Sequence, residues 1–251
     1  MTSESIDIIN AFALLTNFVI LPALSYGSQL ALGALAVTLV YSILRFSNFA
    51  QGDSMAFGTM LVILISGYMI SRGWTITGVP TALLAIPMAL IGMSIYLLTM
   101  DRLVYRHYRR IKAKSIVGIS ASIGVMFVTG GIVRFILGAS AQRFGDGERF
   151  IFSVREFKAF TGLEQGIALK TSQFLTITLA LLLVAFLFYF LQKTKTGKAM
   201  RAYSDNKELA LLSGIDPDKV VQITWLLVAL FTTIAGTLYG LDKGFAPQQY
   251  H

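Results

Sequence analysis

The sequence predicts an all-α integral membrane protein, a polytopic helical bundle with about seven apolar segments. Three observations lead there. The chain is 55% hydrophobic and only 14% charged, with a mean hydropathy of +0.68, too apolar for a domain whose surface must be solvated. Its apolar residues gather in runs close to the ~20 residues that a helix needs to cross a hydrocarbon core. Its basic residues collect in two connections instead of being spread along the chain, as expected when loops sort by charge across a membrane.

The apolar runs fall at 8–24, 27–46, 52–71, 77–100, 115–138, 172–192 and 220–241, and a single membrane domain, 1–251, accounts for all of them. Charge orients them. The connection from Asp101 to Lys114 carries six Lys/Arg, and Lys193 to Lys219 carries six more, 12 of the 21 basic residues in all. Both therefore belong in the cytoplasm, and they agree in parity because two segments separate them. The connection 139–171 is then external, with a nearly balanced charge. Its stretch Arg149 to Val154 has strand-like composition. Counting back through seven segments puts the N-terminus inside, although its first ten residues contain no Lys or Arg. The first segment, interrupted by Asn10, Asn17 and Pro22, is the one expected to tilt or to span incompletely. The acidic N-terminus lacks the basic region of a cleavable signal peptide and is expected to be retained.

Composition also excludes several kinds of chemistry. With no cysteine, disulfides, thiolate metal sites and cysteine nucleophiles are ruled out, and two histidines, His107 and His251, do not make an imidazole-rich metal centre. No cofactor is expected. The net charge of +8 is explained by cytoplasmic loops facing anionic lipid rather than by nucleic acid. No GxxxxGK[ST] phosphate loop occurs, so the chain is not expected to hydrolyse ATP or to be an enzyme.

The polar stretch 193–219 carries its own helix signals. Asp205 with Glu208 three residues on has the spacing of a capping box. Leu209, Ala210 and Leu212 give the short helix that follows an apolar face, and Gly214 suits the left-handed residue just past its end. Asp216 and Pro217 read as the N-cap and first position of a long apolar helix. The expected result is helix, sharp turn, helix, and the short member is too brief to be stable alone. An ordinary connection between spans would look the same.

A second interruption, Arg45 to Asp53, separates two apolar runs. Ser47 or Asn48 could cap a new helix there, and Gly52 adds backbone freedom. One reading is a cytoplasmic turn with a snorkelling Arg45. The other sets Asn48, Gln51 and Asp53 beside a water-filled path, where non-helical backbone is tolerated at membrane depth. Small residues four apart, Gly118 with Ser122, Ser120 with Gly124 and Gly236 with Gly240, mark faces where helices approach closely.

Two of these stretches resemble one family. GKAMRAYSDNKELALLSGI, with Glu208, Ala210, Gly214 and Ile215 in order, is similar to the coupling-loop motif of bacterial ABC importer permeases, in which the short helix fits a cleft on an ATPase subunit. YSILRFSNFAQGDSMAFG resembles the first-span motif of the branched-chain amino-acid permeases, where Asn-Phe-Ala precedes His-Gly-Glu; here Gln51-Gly52-Asp53 stands in that place. The amide and shorter acid keep hydrogen-bonding capacity but lose a titratable imidazole. With DRLVYRHYRR between them, the resemblance runs from about Ser25 to Phe245. Family members continue for one or two more apolar segments, so a C-terminally shortened relative or a fragment is expected.

The resemblance implies a type II ABC-importer-like fold and a permease subunit of an ATP-driven importer for branched-chain amino acids or a similar small polar solute, of urea or amide type. It implies a multi-pass protein of the bacterial inner membrane. The implied partners are ATP-binding cassette ATPase subunits, a second permease subunit, identical or related, and a periplasmic or external solute-binding protein; the length and balanced charge of 139–171 suit either the surface that receives that protein or a self-packed cap over the spans. It places Asn48, Gln51 and Asp53 on the substrate pathway and assigns ATPase coupling to Asp205, Glu208, Ala210, Gly214 and Ile215. The alternatives are an autonomous secondary transporter or channel, and a truncated permease that does not transport.

Overall fold

The computed structural model describes residues 3–76, 80–138, 144, 150–152 and 167–245. Helix α1 (Ser3–Leu15) passes through a π-helical turn (Thr16–Ile20) into α2 (Leu21–Leu44). Then come α3 (Gln51–Ser71), α4 (Thr81–Met100), a second π turn (Asp101–Tyr105), α5 (Arg106–Arg110) and α6 (Ser115–Leu137). Two short strands, β1 (Phe150–Phe152) and β2 (Leu169–Lys170), precede α7 (Thr171–Lys193), α8 (Lys195–Asp205), α9 (Lys207–Leu212) and α10 (Pro217–Lys243).

Among the described residues, six helices are long and apolar enough to cross a membrane. The seven expected segments become six because the first two run on as one helix from Ile9 to Leu44. Pro22 does not break it. The π turn inserts an extra residue, Leu21 N–H returns to the Thr16 carbonyl, and Pro22 falls in the first turn of α2, where a missing N–H costs little. One crossing fewer also corrects the expected topology: the N-terminus lies at the end opposite the basic connections, not at the same end.

Helix α10 is the hub. In its most apolar window 78% of residues are buried, against 17–39% in the other five spans. Its small residues allow this. A Cβ on Gly236 would collide with Thr59 and come within 2.8 Å of the Met55 carbonyl, and one on Gly58 would come within 3.2 Å of Thr233 Cα. Thus α3 and α10 touch almost backbone to backbone. Gly118, by contrast, faces Phe46, and Ser122 donates to the Ile119 carbonyl of its own helix and accepts from Phe49 N–H, so that small-residue face receives the chain after α2. Outward-facing Phe135, 91% exposed, and Phe188, 68% exposed, fit a lipid surround.

Polar contacts gather at the basic end. Arg109 holds Asp101 through two bonds of 2.5 and 3.0 Å, Trp225 Nε1 donates to the same carboxylate at 2.8 Å, and Arg106 meets Asp218 at 2.5 Å. These contacts lock the foot of α4 onto the foot of α10. At the other end β1 pairs antiparallel with β2, Phe150 opposite Lys170, in line with the strand expected there. Arg143, Arg149 and Arg155 of the same connection lie outside the described residues.

Candidate functional site

The site is built where α2 stops short of α3. Arg45 takes a left-handed backbone, φ 60°, and ends α2. Its guanidinium donates to the Ser204 carbonyl of α8, and Ser204 Oγ donates to the Ser42 carbonyl at 3.2 Å. The foot of α2 is thereby tied to the basic end. From there the chain climbs along α6 without helical bonds. Phe46 packs on Gly118, Phe49 N–H donates to Ser122 Oγ at 3.1 Å, and a Cβ on Gly130 would reach Asp53 Oδ1 at 2.6 Å. Gly118 to Gly130 spans about 18 Å of helix at ~1.5 Å per residue, so α3 begins near mid-depth, not at a surface.

Every step of that climb uses polar groups. Asn48 Oδ1 accepts from Ala50 N–H and from Tyr105 Oη, each at 3.2 Å. It makes an Asx turn over 48–50, directly ahead of the helix, rather than a cap; the N-cap is Ala50, with no side-chain cap bond. Tyr105 in turn stacks on Trp225 at 5.5 Å and touches Phe46 at 5.3 Å. Gln51 Nε2 donates to Thr232 Oγ1 at 2.6 Å, which fixes the first turn of α3 to the middle of α10. Gln51 Oε1 and Thr233 Oγ1 have no hydrogen-bond partner among the described residues. Asp53 is 2% exposed and sits in the first turn of α3, where a negative charge complements the helix dipole. Tyr96 and Thr129, whose hydroxyls bond to each other, complete the wall.

Asn48, Gln51 and Asp53 are therefore brought together, all buried, with Gln51 Oε1 left unpaired among the described residues. Tyr105, Thr232, Ser122 and Gly130 belong to the same site but came from other spans. Their signals in the sequence were the threonines of α10 and the Gly118/Ser122 spacing, which read equally well as helix packing, and, for Tyr105, the DRLVYRHYRR stretch.

The second functional element is the elbow 194–216. Thr194 caps α8, accepting from Gly197 N–H at 2.9 Å, and Gly197, Met200 and Tyr203 form its buried face. This helix went unread in the sequence, although the i, i+3, i+6 spacing of those residues marks it. Asp205 is not the N-cap of the short helix: it closes α8. Asn206 caps α9, its Oδ1 accepting from Glu208 N–H at 3.0 Å and Leu209 N–H at 3.1 Å. Two adjacent Asx residues compete for that role, and the residue that adopts the extended backbone, Asn206 with φ −146°, takes it. Ala210 is buried, and Ile215 N–H returns to the Ala210 carbonyl at 3.1 Å. Gly214 has φ +79°, left-handed as expected. Asp216 caps α10 with Pro217 in its first turn. Leu209 and Leu212 are 61% and 84% exposed, so the apolar face of α9 is turned outward.

Comparison with known proteins bears on this pairing of a polar break with an exposed elbow. The family model described as branched-chain amino acid transport system / permease component matches residues 19–250. The chain belongs to this family. Curated relatives include the high-affinity branched-chain amino acid transport system permease protein LivH of Salmonella typhimurium, 26% identical over 225 residues, 87% of this chain and 68% of the relative. BraD of Pseudomonas aeruginosa is 22% identical over 224 residues, 88% and 69% of the two chains. A probable LivH of Methanocaldococcus jannaschii is 26% identical over 227 residues, 90% and 66%. No solved structure matches the chain significantly. As a permease of this family the protein is a multi-pass membrane transport component, and it spans about two-thirds of the length of these relatives.

Proposed function

We propose that this permease is the membrane-spanning subunit of an ATP-driven importer, carrying branched-chain amino acids or a similar small polar solute across a bacterial inner membrane. Its whole length forms one transmembrane domain, with the basic end and elbow in the cytoplasm and 139–171 outside. The relatives' role in branched-chain amino acid transport supports the solute class. The observation that carries the reading is the direct tie between the two candidate elements: Arg45 and Ser42 at the foot of the polar break are bonded to Ser204 within the elbow. A push on the elbow is thus delivered to the segment that holds Asn48, Gln51 and Asp53.

In this reading ATP is hydrolysed on cassette subunits that seat α9 through Leu209 and Leu212, with Asp205, Glu208, Ala210, Gly214 and Ile215 forming the rest of the coupling element. A second permease copy or relative completes the pathway, and an external solute-binding protein delivers the solute. Asn48, Gln51 and Asp53 replace water around the polar part of the solute at mid-depth. No step needs covalent chemistry.

Gly214→Val tests the coupling. A β-branched side chain at φ +79° is strained, a cost of order 1–3 kcal/mol confined to an exposed turn. The expected result in proteoliposomes is normal insertion, persistent ATPase activity and uptake of free leucine reduced at least tenfold. Uptake that stays proportional to hydrolysis removes the coupling role from this elbow.

A further inference from the structure

At the end opposite the elbow, α2, β2, α7 and the end of α10 enclose a cleft of about 320 Å³, at the small end of ligand pockets. Its chemistry is of three kinds. Asp242 supplies a carboxylate that is mostly buried, its side chain 11% exposed, and that lies 3.9 Å from the Lys243 ammonium, while Lys170 lines the same cleft. Phe18, Pro22 and Tyr26 supply an apolar wall. Opposite charges beside an apolar wall match a small zwitterion with a hydrocarbon side chain.

Further buried polar groups lie deeper along two of the helices that line it. One and two turns inward from Pro22 along α2 lie Ser25 and Gln29, and one turn inward from Gln173 along α7 lies Thr176, each at most 3% exposed. Ser25 Oγ, both amide atoms of Gln29 and Thr176 Oγ1 have no hydrogen-bond partner among the described residues. Four unpaired polar atoms inside a membrane span are too costly to persist without water or a solute to bond them. Ordinary helix packing would have placed alanine or leucine there.

We infer that this cleft is a binding site for a zwitterionic α-amino acid with an alkyl side chain, occupied before the solute reaches the Gln51 segment. The inference rests on the importer reading above. Asp242 takes the α-ammonium, Lys170 and Lys243 take the carboxylate, and the alkyl chain lies against Phe18 and Tyr26. Gln29, Ser25 and Thr176 then exchange for the water that the solute sheds as it moves inward. The same charges could hold the ethanolamine phosphate of a lipid, so the lipid must be varied in the test.

The complete transporter is reconstituted in phosphatidylcholine and phosphatidylglycerol, with and without phosphatidylethanolamine, and uptake of leucine in the presence of its solute-binding protein is measured for wild type, Asp242→Asn and Gln29→Leu. Asp242→Asn should raise KM about tenfold with kcat unchanged, the loss of one charge-assisted hydrogen bond. Gln29→Leu should lower uptake while raising, or leaving unchanged, the thermal stability of the chain, an outcome that a purely structural glutamine does not give. Wild-type kinetics in both variants overturn the cleft and leave the importer reading standing. A KM effect confined to vesicles containing phosphatidylethanolamine assigns the cleft to a headgroup and overturns the proposal. Wild-type vesicles that take up no branched-chain amino acid overturn the importer reading itself.

Discussion

Asp101→Ala is expected to destabilise the chain by about 3–5 kcal/mol, the usual consequence of removing one partner from a buried ion pair. The Asp101 side chain is 7% exposed, and that of Arg109, its bidentate partner, 17%. Without it Arg109 keeps only a 4.0 Å approach to Asp218, whose side chain is 42% exposed, and Trp225 Nε1 loses its acceptor. The indole is 1% exposed, so that N–H stays unpaired. Since Trp225 stacks on Tyr105, and Tyr105 donates to Asn48, the damage spreads to the polar break. In detergent solution the thermal midpoint should fall on the order of 10 °C for a chain of this size. Asp101→Asn should fall less, because an amide oxygen still accepts from the indole. A midpoint within about 2 °C of wild type for Asp101→Ala, less than 1 kcal/mol on the same scale, contradicts a structural role for this cluster.

The second large effect is expected from Gly197→Ala. A Cβ there would strike the Phe190 carbonyl and lie 2.6 Å from Leu191 Cα and 2.9 Å from the Leu191 carbonyl. All three atoms are backbone, so no side chain can swing aside. Relief requires α8 to move off the end of α7, which costs about 1–3 kcal/mol or more and unseats Met200 and Tyr203, 2% and 4% exposed. Because Ser204 follows directly, the bonds to Arg45 and Ser42 go with them. The expected outcome is a folded set of spans that no longer retains an ATPase on purification. Retention at the wild-type level shows that the elbow tolerates displacement and that its geometry is not what the partner reads.

How far the sequence could be read follows from which interactions are local. Gly214 and the Asp216–Pro217 start were legible because left-handed backbone and N-capping depend on neighbours within three residues. The basic loops were legible because charge sorting needs only composition. The fusion of the first two segments was not, since Pro22 reads as a break unless the π turn before it is known. Asn206 in place of Asp205 turned on a single backbone angle. The depth of Gln51 was invisible for a deeper reason. It is set by Ser122, Gly130 and Thr232, residues 71 to 181 positions away, each of which alone looks like ordinary helix packing. Hydropathy alone slightly favours a surface turn over a mid-membrane break for the same nine residues, and tertiary pairing decides between them.

In the importer proposed above, the segment 46–53 lies at membrane depth along a water-filled solute pathway. The chain contains no cysteine, so one introduced thiol reports alone. Phe49, 55% exposed within the non-helical stretch, faces that path in this account, whereas Ile95, 61% exposed on α4, faces lipid. Reaction of each single-cysteine chain, Phe49→Cys and Ile95→Cys, with a charged, water-soluble thiol reagent separates the two environments. The account predicts that the thiol at 49 is modified at least tenfold faster than that at 95 and is protected by free leucine. Equal inertness of the two thiols, or labelling at 49 that free leucine does not slow, contradicts it.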